Sequence, residues 1–123
     1  MIESHYAPWT PFFVLDKKVE IFLKGAEKMV QAYQSQKGRL PRMGFLAFGP
    51  KADMPLFESI EVLSPKEDLY EAASMLFQAI RKLDKMNLDM IIAESVPEKG
   101  IGLAIMDRLK RASSGKTIEG VLC

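Results

Sequence analysis

Apolar residues fall into two patterns along this chain: short unbroken runs, and longer stretches at helical spacing. Phe12-Phe13-Val14-Leu15, Met43 to Phe48 and Met90-Ile91-Ile92-Ala93 are the runs, while Ile60-Glu61-Val62-Leu63, broken by Glu61, is a further strand candidate. Such runs suit strands buried on both faces, as in parallel sheets. Between the first two, Val19, Phe22, Leu23, Ala26, Met29, Val30 and Tyr33 recur on one helical face, which predicts an amphipathic helix. Asp16 is the expected N-cap of that helix, and Gly38 and Pro41 its stop. Ser64-Pro65-Lys66-Glu67 reads as a capping box opening a second helix, whose stripe is Leu69, Ala73, Leu76, Ile80 and Leu83. A third helix follows Gly100 and carries Ile101, Ala104, Ile105, Leu109 and Ala112 on one face. Ile118 to Leu122 is a candidate fifth strand.

The order β-α-β-β-α-β-α predicts an α/β fold: a three-layer α/β/α Rossmann-like domain with a mostly parallel sheet of four to five strands. Right-handed crossovers place the first strand centrally, giving the expected order 3-2-1-4. No helix separates the second and third strands, so their relative direction stays open. Residues 1–10 read as an extended arm, because Pro8 and Pro11 remove backbone donors and disfavour helix before them. Residues 11–123 form one domain, since 123 residues are too few for two ordinary cores.

Charge and rare residues remove several function classes. Seventeen Lys and Arg against sixteen Asp and Glu leave a net charge of +1, so no global field draws the chain to nucleic acid, and no direct nucleic-acid binding is expected. No apolar stretch approaches the ~20 residues that span a bilayer, and residues 1–6 lack a signal-peptide pattern, so no membrane role is expected. One cysteine, Cys123, and one histidine, His5, allow no intrachain disulfide and no Cys/His zinc site. No metal is expected, and a reducing, cytoplasmic compartment fits.

Candidate chemistry concentrates at two places. In order 3-2-1-4 the ligand crevice of an open sheet lies between the first and fourth strands, at their C-terminal ends. Asp16, Glu94, Ser95 and the helix start Gly100-Ile101-Gly102 would line it. Free N–H groups at a helix start suit an anion. The dinucleotide fingerprint is incomplete, however, because Ile105 stands where a third small residue belongs. Close helix packing is the competing explanation for both glycines. Gly115-Lys116-Thr117 lacks the rest of a phosphate loop and reads as a polar turn. The other place is the arm, where Ser4, His5, Tyr6, Pro8 and Trp9 crowd recognition chemistry into six residues.

The arm and the third helix together resemble a family. Ser4-His5-Tyr6-Ala7-Pro8-Trp9-Thr10-Pro11 is similar to the interdomain linker of long-form threonylcarbamoyl-AMP synthases. Pro97-Glu98-Lys99-Gly100-Ile101-Gly102-Leu103-Ala104-Ile105-Met106-Asp107-Arg108-Leu109-Lys110-Arg111-Ala112 resembles the closing helix of their C-terminal domain. Ser64 to Ala73, with Leu76-Phe77, resembles a helix between the two. The resemblance implies the accessory, Rossmann-like domain of an enzyme that makes threonylcarbamoyl-adenylate from threonine, bicarbonate and ATP for tRNA modification. It implies that catalysis belongs to a YrdC-like domain, absent from this chain and its expected partner in cis or encoded separately. By the same resemblance Ser4, His5 and Tyr6 contact or gate the nucleotide, and Pro8 keeps the arm extended. The expected chain is not an enzyme alone and holds no cofactor of its own, ATP and magnesium belonging to the full-length family. A free-standing module binding an anion or nucleotide is the alternative.

Overall fold

The structure, a computed structural model, describes residues 8–51 and 53–113. Strands β1 (Phe12–Val14), β2 (Met43–Ala47), β3 (Ser59–Val62) and β4 (Met90–Ala93) and helices α1 (Val19–Lys37), α2 (Leu69–Asp84) and α3 (Ile101–Ala112) follow in the order β1-α1-β2-β3-α2-β4-α3. Every ladder is parallel. The α/β class, the parallel sheet and the helical layers are as expected. Ser4, His5, Tyr6, Gly115-Lys116-Thr117 and the candidate fifth strand lie outside the described residues.

Side chains on successive strand residues point to opposite faces, and both faces are apolar. Phe13, Met43, Phe45, Met90 and Ile92 join Val19, Phe22, Ala26 and Met29 of α1 in one core. Phe12, Val14, Leu46, Ile91 and Ala93 join Leu76, Ile80 and Leu83 of α2, and Ile105 and Leu109 of α3, in the other. The loop between β2 and β3 takes the place of a crossover helix. Its Met54 and Phe57 enter the α1-side core, where the rings of Phe57 and Phe45 stand 4.9 Å apart. That irregular crossover settles the open direction as parallel.

The strand order is β1-β4-β2-β3, or 3-2-4-1. The expected 3-2-1-4 is corrected: β4 lies inside and β1 at an edge. Two features of the chain favour this. Pro11 cannot donate to a ladder and is best tolerated beside an edge. β4 has no proline and pairs on both sides, with β1 and with β2. The helix α1 therefore crosses over β4 before the chain returns as β2. β1 and β4 are still neighbours, so the crevice keeps its two strands.

Helix starts differ from expectation as well. Asp16 does not cap α1: the N-cap position is Lys18, without a side-chain bond. Glu67 takes the left-handed conformation, with φ 57°, so Ser64 to Glu67 makes a turn and α2 begins later. The Asp68 carboxylate caps it, accepting from the Tyr70 N–H at 3.1 Å. Ser64 still serves the turn, since its Oγ accepts from the Asp68 N–H and donates to Glu71. Gly38 ends α1 in the left-handed conformation, as predicted. At the start of α3, a Cβ on Gly102 would lie 1.9 Å from the Pro97 carbonyl oxygen. Only glycine lets that helix approach the loop after β4.

The N-terminal ends of the strands are bound together by charged groups. Arg39 donates to both oxygens of Asp89 at 2.8 Å, and the Arg42 N–H reaches the same carboxylate at 2.6 Å. The Arg42 side chain pairs with Glu58 and the Asn87 carbonyl. Three loops, those leading into β2, β3 and β4, are thus clasped together. The Arg39 guanidinium holds the Asp89 carboxyl well below the usual carboxylate range, against the opposing effect of burial, and the Arg42 amide reinforces it. Arg42 lowers Glu58 in the same way.

Two measurements check this account. Gly102→Ala should cost about 1–3 kcal/mol or more through overpacking. Gly25→Ala, in the interior of α1 with open space around the new methyl, should gain about 0.5–1 kcal/mol. Urea denaturation of both reads the opposite signs, and equal effects would contradict the packing at Pro97. Because Asp89 is depressed in the folded state, its stabilisation is complete above its unfolded value of about 3.9 and is lost as pH falls below it. The urea midpoint of the unsubstituted chain should fall more steeply than that of Asp89→Asn between about pH 5 and pH 2. Parallel curves would show that the clasp carries no such linkage.

Candidate functional site

The C-terminal ends of β1 and β4 form a topological switch point, since β1 leads to α1 on one face and β4 to α3 on the other. Asp16, Glu94, Ser95 and the start of α3 all lie at this end of the sheet. The side chains of Glu94 and Ser95, however, are engaged in holding the strand tips. The Ser95 hydroxyl donates to the Leu15 carbonyl, bridging the two strands across the crevice. Glu94 accepts from the Phe48 N–H at 2.8 Å and pairs with Lys51 at 2.9 Å. With side chains only 19% and 14% exposed, Glu94 and Lys51 tie the end of β4 to the loop after β2. Asp16 is exposed in the turn before α1.

The glycine pair at α3 separates into two jobs. Gly100 supplies a positive φ of 58° at the N-cap, and Gly102 supplies the close approach to Pro97. The Gly102 and Leu103 N–H groups already donate to the Lys99 and Gly100 carbonyls, so two of the donors expected for an anion are committed. Glu98 lies 3.9 Å from Lys110. Glu94 and Glu98 have cationic partners, so occupied donors, and not charge repulsion, are the main obstacle to an anion there.

Elsewhere, charged groups pair on the surface. Arg111 and Asp107 meet at 3.0 Å one helical turn apart, and Arg108 stacks over the Phe77 ring. Among the described residues no group of three or more His, Cys, Asp or Glu could hold a metal ion, and no helix is long and apolar enough to cross a membrane.

At the other end of the sheet the chain enters through the last residues of the arm. Pro8 is half-buried and Trp9 is 97% exposed. Asp84, the last residue of α2, receives the Trp9 N–H at 3.1 Å, the Thr10 N–H at 2.9 Å and the Thr10 hydroxyl at 2.7 Å. Hydrogen bonds to a charged group contribute about 1.5–3 kcal/mol each, against about 0–1 kcal/mol for an exposed ion pair. This cluster therefore outweighs the surface pairs. Asp84 escaped the sequence reading, although one signal was present: an acid in the last turn opposes the helix dipole, so it needs another task. An open groove of about 510 Å³ beside α1 was also missed. Leu23, Ala26, Val30, Met54 and Leu56 line it, with Glu27 and Asp53 among them. Its size suits a small ligand, and it depends on an irregular loop whose path no periodicity encodes.

Comparison with known proteins places this geometry in context. The family model described as "Threonylcarbamoyl-AMP synthase, C-terminal domain" matches residues 1–114. Threonylcarbamoyl-AMP synthase of Bacillus subtilis (strain 168) is 36% identical over 115 residues, which are 94% of this chain and 31% of the relative. The synthase of Pyrococcus abyssi is 30% identical over the same shares. The crystal structure of Pyrococcus abyssi Sua5 complexed with L-threonine superposes with a TM-score of 0.69 at 29% identity, covering 92% of this chain and 31% of that one. A crystal structure of a C-terminal Sua5 domain from Pyrococcus horikoshii, with a TM-score of 0.58 at 27% identity, covers 90% of this chain and 96% of that one. The chain thus spans about a third of the curated relatives it matches, and it belongs to the family of threonylcarbamoyl-AMP synthase C-terminal domains.

Proposed function

We propose that this chain is the non-catalytic accessory domain, with its linker, of a threonylcarbamoyl-AMP synthase acting in tRNA threonylcarbamoyladenosine modification in the cytoplasm. The observation that carries the reading is the match of residues 1–114 to the C-terminal domain of that family. The site geometry supports it, since Glu94 and Ser95 hold strand ends together instead of facing a substrate. A YrdC-like catalytic domain is the partner, in cis or separately encoded, and ATP with its magnesium binds there. Ser4, His5 and Tyr6 reach the nucleotide on that partner, where a hydroxyl, an imidazole and a phenol can each hydrogen-bond phosphate or ribose. Pro8 keeps their backbone extended.

A second reading, a small-ligand module, rests on the groove beside α1 and not on Gly100 and Gly102. Its largely apolar lining favours an apolar ligand over a nucleotide.

Two assays separate these readings. Incubated with ATP, threonine and bicarbonate, the chain alone should release no pyrophosphate above blank; release that scales with protein would sink the accessory reading. ATP and AMP, followed by NMR shifts, should bind no tighter than about millimolar, or roughly 4 kcal/mol. Micromolar binding localised to Gly100 and Gly102 would show that the crevice donors are free for an anion after all, whereas micromolar binding of an apolar probe in the groove beside α1 would promote the ligand module instead.

A further inference from the structure

All four strands are parallel, so the residues preceding them share one end of the domain. Trp9 and Thr10 precede β1, Leu40 and Arg42 precede β2, Glu58 precedes β3 and Asp89 precedes β4. This is the end opposite Asp16, Glu94 and Ser95. It carries the most exposed large apolar side chain among the described residues, Trp9 at 97%, together with Leu40 at 58%. Neither belongs to either core cluster. The backbone beneath Trp9 is nevertheless held at two consecutive amides, both donating to Asp84. A tryptophan held by its backbone with its indole in water presents a large apolar surface at little further ordering cost, the property that makes this residue an interface anchor.

We propose that the N-terminal end of the sheet is the face that docks the catalytic domain, with Trp9 as the contact and Asp84 as the positioning residue that fixes where the arm departs. The proposal rests on the accessory-domain reading and goes beyond it by choosing the face. The occupant follows from chain geography. The relatives are about three times longer than the shared region, which is 31% of their length. The arm that resembles their interdomain linker is rooted at this end, so a domain reached through it lies nearest Trp9 and Leu40. The Arg39–Asp89 and Arg42–Glu58 pairs clasp the loops around that contact, which gives it a stiff floor.

Trp9 is the one tryptophan of the chain, so its indole N–H gives a single NMR signal. The isotope-labelled chain is titrated with the unlabelled YrdC-like catalytic protein of the same genome. Shifts are expected at the Trp9 indole and at the amides of Thr10, Leu40 and Lys85, and not around Asp16, Ser95 or Gly100. Trp9→Ala, which removes nothing from the core, should weaken the association roughly tenfold, as a central tryptophan contact does. Asp84→Ala should weaken it by a smaller factor, and Asp16→Asn should leave it unchanged. Association with shifts confined to the opposite end, or association indifferent to Trp9→Ala, would overturn the docking face while sparing the accessory reading. No association at millimolar concentration would overturn both. Trp9 signals that move on dilution of the chain alone would assign the face to a second copy and overturn the proposal.

Discussion

The peptide groups of β4 pair on both sides, with β1 and with β2, while its side chains enter both cores. Ile91, Ile92 and Ala93 are wholly buried. A strand so placed needs neighbours for every N–H and C=O and apolar cover for both faces. From this constraint the rest of the architecture follows. α1 must cover one face, α2 and α3 the other, and the polar loops must gather at the two ends of the sheet. At one end the loops are joined by Glu94, Lys51 and Ser95. At the other they are joined by Asp84, Asp89, Arg39 and Arg42.

The two ends contrast in what they leave open. At the C-terminal end, where open α/β sheets place their ligands, Ser95 bridges the tips of β1 and β4 and Gly102 seats α3 against Pro97. Side chains of the domain itself take the donors and acceptors that a ligand would use. At the N-terminal end the polar groups are equally satisfied, yet an indole stands outside them in water. A Rossmann-like shape can thus persist in a domain whose crevice serves its own cohesion.

Much of this was legible in the sequence because the relevant signals are local and periodic. The three apolar runs and the Ile60–Leu63 candidate became the four strands, and the stripes on α1 and α2 face the sheet, as do Ile105, Leu109 and Ala112 of α3, whereas its Ala104 is exposed. The family was legible too, carried by the arm and the α3 motif. What escaped was non-local. The position of β4 depends on pairing between distant segments, to which Pro11 gave only a hint. The cap of α2 moved because Glu67 adopts a left-handed conformation that its residue type does not favour. Glu94 was expected to line the crevice, but its distant partners, Lys51 and the Phe48 amide, hold it instead. Asp84 is separated from Thr10 by seventy-four positions, a distance at which no spacing rule operates.

Tension has a defined route through this domain. A pull on the arm travels along the backbone to Trp9 and Thr10 before it reaches β1, and there it meets the carboxylate of Asp84. β1 is a short edge strand that would otherwise peel from β4 one ladder bond at a time. Anchorage to the end of a sixteen-residue helix diverts that force into α2, and through it into a packed core. A load on Trp9 would thus reach α2 before it reached the ladder between β1 and β4.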